Sequence, residues 1–329
     1  MHRFLPTLRK ISLLVLIIAG SANLWCEPAI VAVVNSASFQ GGLPAGGALA
    51  TAFVSGLTAS KPGVYVAPAS RPLPHTLGGI TVSVNNDFAP LLAVIVPTDR
   101  TANVQVNFQV PLSANASLLY PYLNLNQQFG VGPVYPGYLS ISDGVNHAAS
   151  STTLTTSQLP EWGGFFSGAK SEAVAVHASN SSLVTVQNPA HPGESIVAYA
   201  DAFFITWPPP PIAIPVLSQV NFEPDYSLTA SPGHLYLQEY PRSTCAPNPG
   251  LCPGTGSVTN TPALKINSMG LAAGSVGVEE ISFVVPSNQP SGNWALFFNR
   301  GSCPDGSGIP GTCGATVGSS SPYVMLFVK

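Results

Sequence analysis

The side chains best suited to reactive chemistry are thinly spread along this chain. Its six histidines, His2, His75, His147, His177, His191 and His234, form neither an H-E-x-x-H run nor a close pair, so no zinc-hydrolase site is written in the sequence. His75 and His191 flank turn residues and read as exposed loop positions; His177 falls near the end of a strand. A serine nucleophile of the α/β-hydrolase kind needs a G-x-S-x-G elbow, and Gly193-Glu194-Ser195 lacks the remaining glycine. A Ser/His/Asp triad drawn from distant loops is defined by geometry rather than by order along the chain. A hydrolase with such a dispersed site is therefore the enzymatic alternative.

The carboxylates are no richer. Glu279 and Glu280 are adjacent, so on a strand they point to opposite faces and cannot flank one glycosidic bond. Glu223 and Asp225 share strand parity beside Tyr226 and make the best acidic pair, which reads more simply as a solvated loop. Calcium held there, or by Asp143 in the Ser142-Asp143-Gly144 turn, is a lesser alternative without EF-hand spacing. Gly314 to Gly318 lacks the lysine of a phosphate-binding loop. The expectation is a chain that is not an enzyme, with no catalytic residues, no cofactor and no metal.

Aromatic residues offer more. Tyr120, Tyr122, Phe129, Tyr135 and Tyr138 crowd one stretch, and Trp207, Phe222, Tyr226, Tyr236 and Tyr240 crowd another. Exposed on one side of a sheet, the second group would be a ligand contact, stacking on sugar rings or anchoring a protein partner. The plainer reading packs both groups against the sheets beneath long loops.

Four of the five cysteines fall in Pro/Gly-rich loops, Cys245 with Cys252 and Cys303 with Cys313. Local pairing is the simplest of the three connectivities that four cysteines allow, and each small loop would contribute about 2–3 kcal/mol. Their spacings exceed the C-x2–4-C of zinc sites, and no histidine lies beside either pair. Cys26 is the odd one; Asn23-Leu24-Trp25 before it is a poor lipobox, because a bulky Trp stands where a small residue belongs.

The elements that must position these groups are strands. Of 329 residues, 33 are Pro and 31 Gly, and only 8% are charged, against about 25% in ordinary soluble domains. Helix-favouring Glu, Lys, Arg and Met are scarce, while β-branched and aromatic runs recur between turns, which indicates an all-β fold. Expected strands are Ala29–Val34, Leu49–Val54, Leu77–Val84, Leu91–Val96, Val104–Val110, Tyr138–Ile141 and an edge strand over Ala148–Leu154. Ile80, Val82 and Val84 alternate with Thr81 and Ser83, the period of a half-buried strand. Further on come Ala173–His177, Leu183–Val186, Ile196–Phe204, Val276–Val285, Trp294–Phe298 and Tyr323–Val328.

The N-terminus reads as an export signal: Arg3, Arg9 and Lys10 precede an apolar run from Ile11 to Ala19, then small residues. That run is about half the ~20 residues that span a bilayer, so no membrane span is expected once the signal is removed. Without the three basic residues, eight basic side chains face fourteen acidic ones, a net charge of −6. No Lys/Arg cluster occurs, which excludes nucleic acid and anionic lipid as partners. The destination is secreted, periplasmic or cell-surface.

One pattern occurs twice. A Pro/Gly turn (Pro44 to Gly47), the apolar run Leu49 to Val54 and, later, Asn107-Phe108-Gln109-Val110-Pro111 are answered by Pro192-Gly193-Glu194, Ile196 to Phe204 and Ser282-Phe283-Val284-Val285-Pro286. Aligning Asn85 with Asn267 leaves an extra 34 residues in the second copy. The expected organisation is a signal peptide at 1–26, one immunoglobulin-like β-sandwich at 27–160 and a second at 161–329. A Cys-bearing insertion lies in the latter around 205–262, opened by the stiff run Pro208 to Pro211.

Val33-Val34-Asn35-Ser36-Ala37-Ser38-Phe39, the strand from Thr76 to Asn85, Val106 to Pro111, Ser182 to Thr185, Asn188 to Glu194, and Pro286 with Pro290-Ser291-Gly292-Asn293 carry a resemblance over nearly the whole mature chain. In their shared order they resemble a large family of uncharacterised secreted proteins typical of acidobacteria of the Solibacter kind. The resemblance implies tandem immunoglobulin-like sandwiches of the IPT/TIG type, and brings no activity, cofactor or catalytic residue with it. Residues and resemblance together lead to an exported, non-catalytic structural or binding module acting on an unidentified protein or glycan. A carbohydrate-binding protein using the insertion aromatics is the alternative.

Overall fold

The computed structural model describes residues 27–44, 46–68, 72–111, 135–150, 154–157, 164–168, 171–201, 220–221, 234–239, 264–300, 319–320 and 324–329. Every regular element among them is a strand, as the composition requires. Labels run in chain order.

The first sheet has the order β1 (Ala29–Asn35), β3 (Leu49–Ser55), β9 (Val104–Gln109), β8 (Leu91–Val96), β4 (Gly63–Val66), all antiparallel. Facing it is the sheet β12 (His147–Ala149), β11 (Leu139–Ser142), β6 (Ile80–Val84), β5 (Thr76–Leu77), with β7 (Asp87–Phe88) also on β6. Their inner faces meet in one hydrophobic cluster: Ala50, Ala52, Val54, Val94, Val106 and Phe108 from the first, Ile80, Val82, Val84, Leu139 and Ile141 from the second. The alternation along β6 does what period two dictates, burying one face and leaving Thr81 and Ser83 on the other. A small sheet of β10 (Tyr135–Gly137), β13 (Leu154–Ser157) and β2 (Leu43–Pro44) lies alongside, with β13 parallel to β2.

A second cluster is built the same way. One sheet runs β14 (Gly164–Phe165), β16 (Ser195–Asp201), β20 (Glu279–Val284), β19 (Ile266–Leu271), β17 (Val220–Asn221), with β15 (Ala175–His177) on β16. The other joins β18 (His234–Glu239), β21 (Gly292–Arg300) and β22 (Ser319–Ser320), with β23 (Val324–Val328) on β21. Ile196, Ala198, Ile281 and Phe283 of the former pack on Leu235, Leu237, Leu296, Leu326 and Val328 of the latter. Sheet-on-sheet packing thus accounts for both cores. Phe108 and Phe283 are fully buried, each contributing about 1.5–3 kcal/mol on leaving water.

The doubled sequence pattern reappears in the backbone. Gly47 N donates to Val110 O at 2.8 Å and Val110 N to Ala48 O at 2.8 Å; Gly193 N donates to Val285 O at 2.8 Å and Val285 N to Glu194 O at 2.9 Å. Both glycines have φ in the left-handed region, 91° and 83°, which explains why each turn carries Gly there.

Some strands differ from expectation. Ala148–Leu154 is not one edge strand: β12 ends at Ala149 and pairs with β11, whereas β13 begins at Leu154 in a different sheet. Leu183–Val186 makes only an isolated bridge from Leu183 to Val176, because Thr185 and Asn188 bond each other's backbones in a tight turn. Asn85 and Asn86 close the β6–β7 turn with positive φ, but Asn267 sits at a bulge inside β19, so the two asparagines are not equivalent.

At the edge of the first sheet, β4 is four residues long, bracketed by Pro62 and Pro68, with Val64 and Val66 each 69% exposed. Residues 1–26, where the export signal is expected, Cys26, Cys245, Cys252, Cys303 and Cys313, and most of 205–262 lie outside the described residues. Among the described residues no helix is long and apolar enough to cross a membrane.

Candidate functional site

Residues opposite one another across a ladder share a face, so the register of the β5–β6–β11–β12 sheet fixes what its outer face presents. Ser83 lies between Phe88 and Ser140, and Ser140 opposes Ala149. Thr81 lies between Thr76 and Ser142, and Ser142 opposes His147. The outcome is two parallel rows, Phe88-Ser83-Ser140-Ala149 and Thr76-Thr81-Ser142-His147, with no Asp, Glu, Lys or Arg in either. At about 4.8 Å between strands, each row is about 14 Å long.

Aromatic rings border these rows. Phe88 is 61% exposed and Tyr138 60%. His75 meets Phe88 edge-on, ring centroids 6.3 Å apart at 62°. Tyr138 is held by two bonds to the turn residue Asn85: its N–H donates to Asn85 Oδ1 at 2.8 Å, and Asn85 N donates to its carbonyl at 2.9 Å. Ser140 Oγ and His147 Nε2 are 2.6 Å apart. Among the described residues no carboxylate bonds the other nitrogen of His147, so this contact is a hydroxyl–imidazole pair without the acid that completes a triad.

The second histidine with a defined partner is His177, at the end of β15 and 4% exposed. Its Nδ1 donates to Glu194 Oε1 at 2.6 Å, and its Nε2 lies 3.2 Å from Asn188 O. The nitrogen that would activate a serine in a triad therefore faces a backbone carbonyl. Glu194 Oε2 accepts the N–H of His191 at 2.9 Å. Burial raises the Glu194 carboxyl, but the bonds from His177 and His191 and the charge of those rings outweigh it and hold the group below the usual glutamate range.

Asp143 proves to be a turn cap. Its oxygens accept from Ala59 N at 2.7 Å, Val145 N at 3.1 Å, Asn146 N at 2.7 Å and Asn146 Nδ2 at 3.0 Å. Burial raises its carboxyl and these bonds lower it further still, leaving it below the ordinary value. Among the described residues no three His, Cys, Asp or Glu side chains gather as a metal site would require. Glu279 is buried and Glu280 half-buried, on alternate faces of β20. Burial raises Glu280; burial, then the Glu280 charge across the β16–β20 pair, raises Tyr199.

Of the aromatics expected to touch a ligand, Trp207, Phe222, Tyr226 and Tyr240 lie outside the described residues, and Tyr236 is placed only as a backbone position on β18. Tyr138, singled out in the other aromatic group, does reach the surface. His75 is exposed, as its turn neighbours suggested, but Phe88 was not anticipated: a two-residue strand after Asn85-Asn86 is too short for periodicity to detect.

No protein-family model matches the chain, and no curated protein matches it. Among solved structures it is similar to SGBP-B of the Bacteroides ovatus mixed-linkage glucan utilization locus, in complex with a mixed-linkage heptasaccharide. That likeness has a TM-score of 0.23 and 9% identity over 92% of this chain and 61% of that one. It is also similar to dimeric latent PorU from Porphyromonas gingivalis, with a TM-score of 0.19 and 10% identity over 91% of this chain and 24% of that one. The chain thus spans about three-fifths and one-quarter of their lengths, and superpositions this loose carry no weight for function.

Proposed function

We propose that this chain is an exported, non-catalytic binding module that takes a neutral glycan on the outer face of the β5–β6–β11–β12 sheet. The observation that supports this reading is the uncharged double row of Ser, Thr and His side chains bordered by exposed Phe88 and Tyr138. Sugars present hydroxyls at the rim of each ring and C–H groups on its faces. Hydroxyl and imidazole side chains match the former, and aromatic rings stack on the latter. An anionic or cationic ligand would find no opposite charge in either row.

The test is a glycan array probed with the purified chain, followed by titration of Phe88→Ala and Tyr138→Ala. Binding to neutral oligosaccharides that weakens about two- to tenfold in each variant is the expected result, since a stacking anchor is worth about 0.5–1.5 kcal/mol. Absence of binding to any neutral glycan, or binding indifferent to both substitutions, refutes the reading.

A further inference from the structure

We propose that Asp201 is a clasp that joins the two sheet-on-sheet bodies, completing a polar site that the first body leaves open. This rests on contacts away from the glycan face and stands or falls separately from it. Asn35 closes β1 and is 1% exposed. Its Oδ1 accepts the N–H groups of Ala37 and Ser38, both at 2.8 Å, which fixes the amide so that Nδ2 turns away from its own turn. There Nδ2 donates to Asp201 Oδ2 at 2.9 Å, 166 residues along the chain. The N–H of Leu49 donates to both carboxylate oxygens of Asp201 at 3.1 Å. Asp201 is fully buried, and an ionised carboxylate out of water requires donors of this kind.

Two glycines show how closely the backbones meet at this seam. A Cβ on Gly164 would lie 2.4 Å from Ser38 Cβ and 2.9 Å from Ser38 Cα; one on Gly277, where φ is +69°, would lie 2.9 Å from Gly47 O.

The second repeat shows what the first lacks. Ser36 N bonds Leu49 O as Ala178 N bonds Ser195 O, each at 3.0 Å, and Phe39 N bonds Asn35 O as Ser181 N bonds His177 O. His177 therefore stands where Asn35 stands. Its carboxylate partner, Glu194, comes from within the same repeat. At the position equivalent to Glu194 the first repeat has Ala48, since Val110 N bonds Ala48 O as Val285 N bonds Glu194 O. The first repeat thus borrows from the second body the carboxylate that the second supplies for itself.

An exchange of the two groups tests the clasp. Asp201→Asn sets an amide N–H against Asn35 Nδ2 or Leu49 N, and Asn35→Asp sets two carboxylates face to face. In the double variant Asn35→Asp/Asp201→Asn, the new carboxylate still accepts from Ala37 and Ser38 and also from the new amide, whose oxygen accepts from Leu49 N. Calorimetry and small-angle scattering on the full chain are the readouts. Each single variant should split one unfolding transition into two, lower the first by about 5–10 °C and increase the radius of gyration, while the double variant returns toward the parent. If a single variant does not fold, Gly277→Ala, which presses on Gly47 O and on the Leu49 side chain across the seam, should give the same split. Single variants that melt as one unit with unchanged dimensions, or a double variant no better than the sum of its parts, overturn the proposal.

Discussion

Replacing Glu194 with Gln keeps the shape of the side chain but removes its charge and turns one acceptor oxygen into a donor, so it can no longer accept from both His177 Nδ1 at 2.6 Å and His191 N at 2.9 Å. The His177 side chain is only 5% exposed and that of Glu194 20%, so the loss is not made good by bulk water. A hydrogen bond to a charged group is worth about 1.5–3 kcal/mol, so the unfolding free energy should fall by about 2 kcal/mol near pH 6.5. The pH dependence follows from the carboxyl being held below its ordinary value. A depressed carboxylate stabilises the fold fully above its unfolded pKa of about 4.3, and that contribution disappears as pH falls through the lower folded value. The gap between parent and Glu194→Gln should therefore be full at pH 6.5 and close progressively below about pH 4.5. Urea unfolding followed by circular dichroism at four or five pH values measures it. A gap unchanged between pH 6.5 and pH 3, or below about 0.5 kcal/mol at pH 6.5, refutes the assignment of the pair as a stabilising contact.

Gly78→Ala and Gly144→Ala separate strain from collision: both sites have positive φ, but a Cβ on Gly78 would lie 2.5 Å from Tyr65 Cδ2, whereas nothing lies within 4 Å of one on Gly144. Denaturant midpoints should show about 1–2 kcal/mol lost at Gly144 and more at Gly78, and equal losses would contradict the contact. Asp143→Ala leaves the N–H groups of Ala59, Val145 and Asn146 without their acceptor, a loss of about 1–3 kcal/mol by thermal melting. Phe108→Ala and Phe283→Ala should each cost about 3–5 kcal/mol. Hydrogen exchange should show each loosening its own cluster first, and uniform loosening by either would mean that the cores are not separate.

Much of the fold was legible because strand periodicity is a local property. Ile80, Val82 and Val84 declare an inner face from five consecutive residues, and the repeated Gly–strand–Val-Pro pattern declares a bond pair that recurs unchanged. The candidate site was less legible, since a sheet face is assembled by register: Ser83 and Ser140 are neighbours only because β6 pairs with β11, 57 residues apart. Asn35 could be read as a turn residue from its Ser-Ala-Ser neighbours, yet nothing near it foretells Asp201. Asp143 in its oxygen-rich turn offered a cation site only as a lesser alternative; the backbone donors that occupy it come partly from Ala59, far away in sequence.

The short outer strand β4 bears on whether a chain with so few charged side chains can pair with itself edge to edge. Another chain adding itself edgewise would find a ladder of only four residues, closed off by proline on both sides. Growth into fibrils by that route is blocked at the first step. What remains adhesive at this edge is the pair of outward valines, and a lysine introduced at Val64 should improve solubility without touching either core.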